Sequence, residues 1–227
     1  METQSFRRPY ALFDMDGTLL DSMDQWMHLD RYFLDAQGLE VTPELQEQIS
    51  EMHLHESMRF LHEALHVGES PEANYAHCLE LMAAIYRDEV TVKAGVQHYL
   101  EQLQAAGIKM ALVTATPRSL AEPALERHGL MHFFEVILSI DDVGKNKKEP
   151  LIYDRALEML GGTNREEAVV YEDAGYALST AVAAGFKTVL VEDPIYQAEW
   201  PALKAKATWT CSQLDELDFR AVHAAQV

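Results

Sequence analysis

The sequence predicts an α/β fold: a doubly wound, Rossmann-like parallel sheet with a four-helix-bundle domain inserted near its start. Three observations predict it. A β-rich apolar run, Tyr10 to Asp14, opens the chain. A polar, helix-patterned stretch without strand signals follows, up to about Val90. From Gly95 onward, helical stretches alternate with short apolar runs. Such alternation argues for a parallel sheet covered on both faces. Residues 1–20 and 92–227 are therefore expected to form one discontinuous domain, with residues 21–91 as the insert and paired hinges near Leu20-Asp21 and Thr91-Val92-Lys93.

Each element has its own signal. Ser22-Met23-Asp24-Gln25 reads as a capping box for a first helix, with Trp26, Leu29, Phe33 and Leu34 at helical spacing. Pro43 can start a second helix at its first position. A third runs from about His55 to His66 and stops near Gly68. Ser70-Pro71 introduces a fourth, which carries Tyr75, Leu79, Met82 and Tyr86. These aromatic and methionine stripes read as bundle core. In the second half, Gly95 to Ala106 is a helix closed by Gly107, and Ile108 to Val113 is a strand ending at Thr114. Thr116-Pro117 caps and starts a helix that ends near Gly129. Phe133 to Leu138 is a strand, Pro150 to Leu160 a helix closed by Gly161, and Ala168 to Tyr171 a strand ending at Glu172-Asp173. Ala174 to Ala184 is a helix closed by Gly185, and Lys187 to Val191 a strand ending at Glu192-Asp193.

Composition bounds the function. A length of 227 residues suits one large domain or one domain with an insertion, and 48% hydrophobic and 24% charged content suits an ordinary soluble protein. The formal charge of −19 repels nucleic acid and anionic membranes, so neither is expected as a partner. It does not forbid one small phosphorylated ligand held by a local cationic pocket or a metal ion. No run approaches the length of a membrane span, and Met1 to Ser5 shows no secretory signal, so a cytoplasmic protein is expected. Cys78 and Cys211 lie far apart and read as reduced, buried filler. The oligomeric state stays open, a monomer being compatible with the sequence.

Ligands of open α/β sheets bind at the carboxyl ends of the strands. There the sequence places Asp14 and Asp16 after the first strand, Thr114 after the second, a lysine-rich loop (Gly144-Lys145-Asn146-Lys147-Lys148) after the third, and Glu172 and Asp173 after the fourth. Asp14 and Asp16 lie one residue apart and repel, so something must compensate. Clustered hard oxygens suit Mg2+, which takes one or two carboxylates together with phosphate and water. A helix start beside Thr114 offers backbone N–H groups to an anion, and a lysine adds a point charge. A nucleophile, charge stabilisation and a proton donor are what phosphoryl transfer requires.

The same residues carry a family resemblance. FDMDGTLLDS, LVTAT, the lysine-rich loop before EPLIY, and VVYEDAGYALSTAVAAG resemble, in order, the four motifs of the haloacid dehalogenase superfamily of phosphohydrolases. The resemblance spans nearly the whole chain, and the insert is similar to that family's helical cap of the first type, as in relatives of β-phosphoglucomutase and phosphoglycolate phosphatase. It implies a Mg2+-dependent phosphatase of a small phosphorylated metabolite, working through an aspartyl-phosphate. Asp14 is implied as the nucleophile and Asp16 as the general acid and base, its backbone carbonyl also reaching Mg2+. Thr114 and the N–H of Ala115 are implied for the phosphoryl oxygens, and Asp14, Asp173 and Glu172 for the metal. Counting back from Pro150-Leu151-Ile152-Tyr153 places the active-site lysine at Lys147. Lys148 stands where the family has proline and Leu151 where it has an acid, so Lys145 and Lys148 stay open as alternatives.

Other readings compete. A phosphosugar mutase similar to β-phosphoglucomutase shares the same core, and a non-catalytic binding relative is a further alternative. A receiver-type signalling domain also uses an acidic pair, an aspartate, a threonine and a lysine, but there the acidic pair precedes the phospho-acceptor. Taken singly, Asp14-Asp16-Gly17 reads as a turn, Thr114 as a strand end, the lysines as a solvated loop, and Glu172-Asp173 as a helix start. Their joint order along the chain favours the site. In the insert, His62 and His66 stand at i, i+4 as a candidate metal pair, and His53 or His55 as candidate substrate contacts. Related sugar-phosphate enzymes carry Gly and Arg in the segment matching Glu51 to Ser57, and neither is present.

Overall fold

The computed structural model describes residues 8–50, 52 and 54–224. The Met1–Ser5 segment and His53 lie outside the described residues. The chain divides into two compact units, residues 1–21 with 91–227, and residues 22–90.

The elements run in chain order as follows. β1 is Tyr10–Phe13 and β2 Leu20–Asp21, followed by the helices α1 (Met23–Met27), α2 (Leu29–Ala36), α3 (Pro43–Ser50), α4 (Leu54–Leu65) and α5 (Pro71–Asp88). Then come β3 (Thr91–Val92), α6 (Val96–Ala105), β4 (Lys109–Thr114), α7 (Arg118–Arg127), β5 (Val136–Ser139), α8 (Ile140–Val143) and α9 (Leu151–Leu160). The chain ends with β6 (Ala168–Glu172), α10 (Gly175–Ala184), β7 (Lys187–Val191), α11 (Trp200–Lys204), β8 (Trp209–Cys211) and α12 (Phe219–His223).

In the first unit, six strands form one parallel sheet in the order β5-β4-β1-β6-β7-β8. The chain builds outward from β1 through β4 to β5, then returns to lay β6, β7 and β8 on the other side. The carboxyl ends of β1, β4 and β6 therefore meet where the direction of winding reverses, the usual ligand crevice of this architecture. The central strands are apolar on both faces because helices cover both: Ala168 to Glu172 is buried throughout. On one face Leu12, Val113 and Val170 pack with Ile152, Tyr153 and Ala156 of α9. On the other, Phe13 stacks on Tyr171 at 4.1 Å between ring centroids, and Tyr99 of α6 meets Tyr171 edge-on. The two short strands β2 and β3 pair antiparallel where the chain leaves and re-enters this unit.

The second unit is helical, and Leu29, Phe33, Leu34, Met58, Leu61, Cys78, Met82 and Tyr86 are buried in it. Ser70 caps α5 as its sequence predicts, accepting from Ala73 N at 3.1 Å. Trp26 Nε1 donates to Tyr86 Oη at 3.0 Å.

Several boundaries differ from expectation. The first helix of the insert is divided at His28, whose backbone (φ −106°, ψ 6°) leaves the helical region. Ser22 stands at the N-cap of α1, but its side chain makes no cap hydrogen bond. The strand expected from Phe133 begins only at Val136, because Met131–Phe133 forms a tight 3-10 turn that buries Phe133. The short helix α8 was not expected. It is built by a capping box: Ser139 Oγ accepts from Asp141 N at 3.3 Å, while Asp142 Oδ2 accepts from Ser139 N at 2.8 Å. The edge strand β8 was also missed. Cys78 and Cys211 are buried, unpaired thiols pushed up to about 12, chiefly by burial. Among the described residues, no helix is long and apolar enough to cross a membrane.

Candidate active site

Asp14 follows β1 directly, and its N–H still donates to Tyr171 O at 3.0 Å, continuing the ladder to β6. Met15, fully buried, forms a bend between Asp14 and Asp16, which are 7% and 9% exposed. Gly17 then turns the chain at φ 77°, which an L side chain adopts only with strain. Leu19 N and Leu20 N both donate to Met15 O, and Gly17 N donates to Leu20 O, closing the loop.

Three other strand ends meet this loop. From the loop after α8, Lys147 turns inward with only 2% exposure, while Asn146 Oδ1 pins the turn by accepting from Lys148 N. Lys147 Nζ donates to Asp14 Oδ1 and, at 2.7 Å, to Glu172 Oε1. Of the other two candidate lysines, Lys145 is exposed and pairs with Glu149, and Lys148 is exposed. Glu172 and Asp173 end β6, at 0% and 1% exposure. Thr114 ends β4, fully buried, and its Oγ1 accepts from Thr116 N at 3.0 Å, which leaves its hydroxyl hydrogen to donate elsewhere. Ala115 is exposed in the same turn.

The structure adds residues that the sequence reading did not assign to a site. Thr116 was expected to cap α7; α7 instead starts at Arg118 with Pro117 at its N-cap, and Thr116 Oγ1 donates to Asp16 Oδ2 at 2.6 Å. Tyr153 Oη donates to Glu172 Oε1 at 2.7 Å. Thr18 Oγ1 reaches Asp173 Oδ1 at 3.5 Å. Lys93 Nζ donates to Gly17 O at 2.7 Å and to Asp193 Oδ2 at 2.8 Å, fastening the Asp14–Gly17 loop to the end of β7. Lys93 had been noted only as part of a hinge, and Tyr153 only as a marker for counting.

The site concentrates buried negative charge. Asp14, Glu172 and Asp173 each present an oxygen within 4.8 Å of the other two. Burial raises Asp14 to about 8; the Lys147 ammonium opposes this, while Glu172 and Asp16 add to it. Asp173 is pushed well above the carboxylate range, by burial first and then by Asp14 and Glu172. Burial works against the charge of Lys147, but Asp14 and Glu172 outweigh it and push its pKa up. One ammonium cannot neutralise the carboxylates around it. Glu172 Oε2 and Asp173 Oδ2 are buried without a hydrogen-bond partner. Buried carboxylate oxygens with no donor fit a hard divalent cation, and Asp14, Glu172 and Asp173 could hold one. The carboxylate of Asp16 is turned to Thr116 and is not part of this cluster.

The histidines of the insert are placed otherwise. His62 Nδ1 lies 3.2 Å from Val67 O, and neither His62 nor His66 joins a cluster of three ligands among the described residues. His55 stacks on Tyr75 at 3.6 Å.

The family model of the haloacid dehalogenase-like hydrolases matches residues 11–191, from within β1 to the end of β7. The chain is a haloacid dehalogenase-like hydrolase. Among its relatives is a phosphorylated carbohydrates phosphatase of Thermotoga maritima, 30% identical over 79% of this chain and 82% of that protein. A validoxylamine A 7'-phosphate phosphatase of Streptomyces hygroscopicus subsp. limoneus is 30% identical over 77% and 81% of the two chains. The crystal structure of CbbY from Rhodobacter sphaeroides, at 24% identity, shares the fold with a TM-score of 0.76 over 92% of this hydrolase and 96% of that chain. The matched residues span all four motifs read in the sequence.

Proposed function

We propose that this phosphoric monoester hydrolase acts on a small phosphorylated metabolite with Mg2+, through an aspartyl-phosphate on Asp14. The observation that carries this reading is the buried set of Asp14, Glu172 and Asp173 with Lys147 between Asp14 and Glu172. The relatives named as phosphatases of phosphorylated carbohydrates and of validoxylamine A 7'-phosphate support the substrate class.

In this reading Lys147 holds Asp14 Oδ1, and Asp14 Oδ2 attacks phosphorus. The bond from phosphorus to the ester oxygen breaks, and Asp16 gives that oxygen its proton. Water then attacks the aspartyl-phosphate, Asp16 takes its proton, and phosphate leaves with Asp14 restored. Thr114 and the N–H of Ala115 bind phosphoryl oxygens, and Lys147 offsets their charge. Asp14, Asp173 and Glu172 would hold Mg2+ together with the backbone carbonyl of Asp16. When bound, Mg2+ supplies positive charge to the phosphoryl oxygens and keeps Asp14 ionised despite its burial. Residues 21–91 form the helical cap domain of the family's first type, and 1–20 with 92–227 the catalytic domain, in a cytoplasmic enzyme.

Phosphate release from an aryl phosphate tests the reading. Turnover is expected with Mg2+, and none with EDTA or in Asp14→Asn. Turnover that survives EDTA or Asp14→Asn would overturn it. Transfer of the phosphoryl group to a sugar hydroxyl without release would favour the mutase.

A further inference from the structure

We propose that Tyr153 is a positioning residue for the metal-binding carboxylate: its hydroxyl, together with Lys147, fixes Glu172 Oε1 and so presents Oε2 to the cation. The inference rests on the Mg2+ reading above and adds a residue that takes no part in it.

Two donors converge on one oxygen. Tyr153 Oη lies 2.7 Å from Glu172 Oε1, and Lys147 Nζ lies 2.7 Å from the same atom. The other oxygen, Oε2, is buried with no hydrogen-bond partner. A lone ammonium holds one carboxylate oxygen as a point charge and does not fix which way the other faces. A phenol facing a carboxylate can only donate, and its single hydrogen on the same oxygen locks the orientation that the ammonium leaves open. Tyr153 is itself immobilised: it is 1% exposed, belongs to the core formed by α9, and packs edge-on against Phe186 at 6.0 Å. The hydroxyl is thus held by the sheet core, not by solvent. Donors to the outer oxygens of metal ligands are worth about 10- to 100-fold in metal affinity.

Tyr153→Phe keeps the ring and removes only the hydroxyl. Mg2+ alone is titrated by calorimetry into the wild type, Tyr153→Phe, Glu172→Ala and the double variant, with thermal midpoints measured in parallel. The dissociation constant for Mg2+ is expected to rise about 10-fold or more in Tyr153→Phe. In the Glu172→Ala background the same change is expected to add nothing, since its effect passes through Glu172. At saturating Mg2+ the turnover of Tyr153→Phe is expected to return to near wild type. Unchanged Mg2+ affinity in Tyr153→Phe, or losses that simply add in the double variant, would overturn the inference. A lowered thermal midpoint with unchanged Mg2+ affinity would show a purely structural role and overturn it too. A wild type that takes up no Mg2+ would instead overturn the metal reading itself, and this inference with it.

Discussion

Thr116 and Asp16 are 100 residues apart in the chain, yet the hydroxyl of one donates to the carboxylate of the other at 2.6 Å. Thr116 belongs to the same turn as Thr114, whose Oγ1 holds the Thr116 N–H. One short segment after β4 thereby carries both the hydroxyl proposed for the phosphoryl oxygens and the donor that orients Asp16, the proposed acid. Thr116→Val removes the donor and nearly keeps the shape. Turnover is expected to fall, by no more than the roughly 100- to 10,000-fold that an oriented acid or base contributes, with KM little changed. Thr116→Ser is expected to recover most of it. An equal fall in both variants would point to packing of the turn and away from the hydroxyl. The contrast between these residues shows what a sequence displays at this scale. Asp14, Asp16, Thr114, Glu172 and Asp173 were legible because each ends an apolar run, and the fold brings such ends together. Lys147 was reached by counting back from Tyr153, against two neighbouring lysines. Thr116, Tyr153 and Lys93 were not legible as site residues. Each acts through a partner distant in sequence, and the sequence marked them only as a cap, a counting point and a hinge residue.

At the scale of elements, the alternation of helix and strand was legible because it is written in local periodicity. The break at His28, the turn at Met131–Phe133 and the strand β8 were not, since they depend on what the chain packs against. The last helix is a clear case. His223 of α12 is fully buried, with Nδ1 2.6 Å from Arg8 O and Nε2 2.9 Å from Tyr171 Oη. A carbonyl only accepts, so Nδ1 carries a proton; in the neutral ring Nε2 then accepts from Tyr171, whose oxygen in turn faces Tyr99 Oη at 2.9 Å. Burial, aided by the charge of Arg8, lowers His223 to about 4 despite the carbonyl bond, so the imidazole is neutral at ordinary pH. Between about 4 and the usual 6.5 the unfolded chain binds the extra proton and the folded one does not. Stability is therefore intact above pH 6.5 and drains away as pH falls toward 4, by about 3 kcal/mol in all. Urea unfolding at several pH values is expected to show the advantage of the wild type over His223→Gln shrinking by roughly that amount between pH 7 and 4. A constant difference between the two would mean that His223 is not held neutral in the fold.

At the scale of the whole molecule, the formal charge of −19 sets the enzyme against its own substrate. A phosphate ester is an anion, and it must approach a crevice lined by Asp14, Asp16, Glu172 and Asp173. The two lysines set among them are already engaged, Lys147 with Asp14 and Glu172 and Lys93 with Asp193. Long-range repulsion of this kind slows encounter, and salt weakens it once the Debye length shrinks to about 8 Å at physiological ionic strength. Short-range attraction inside the buried site is screened much less. With Mg2+ held saturating, kcat/KM for a phosphate monoester is expected to rise severalfold as an inert salt is raised from low to physiological strength, while kcat stays nearly level. The rise should be steeper for a bisphosphate, because the repulsion grows with the charge of the substrate. A fall in kcat/KM with salt would mean that a locally positive approach governs capture in spite of the net charge. A level response would place the rate-limiting step after encounter, in chemistry or product release.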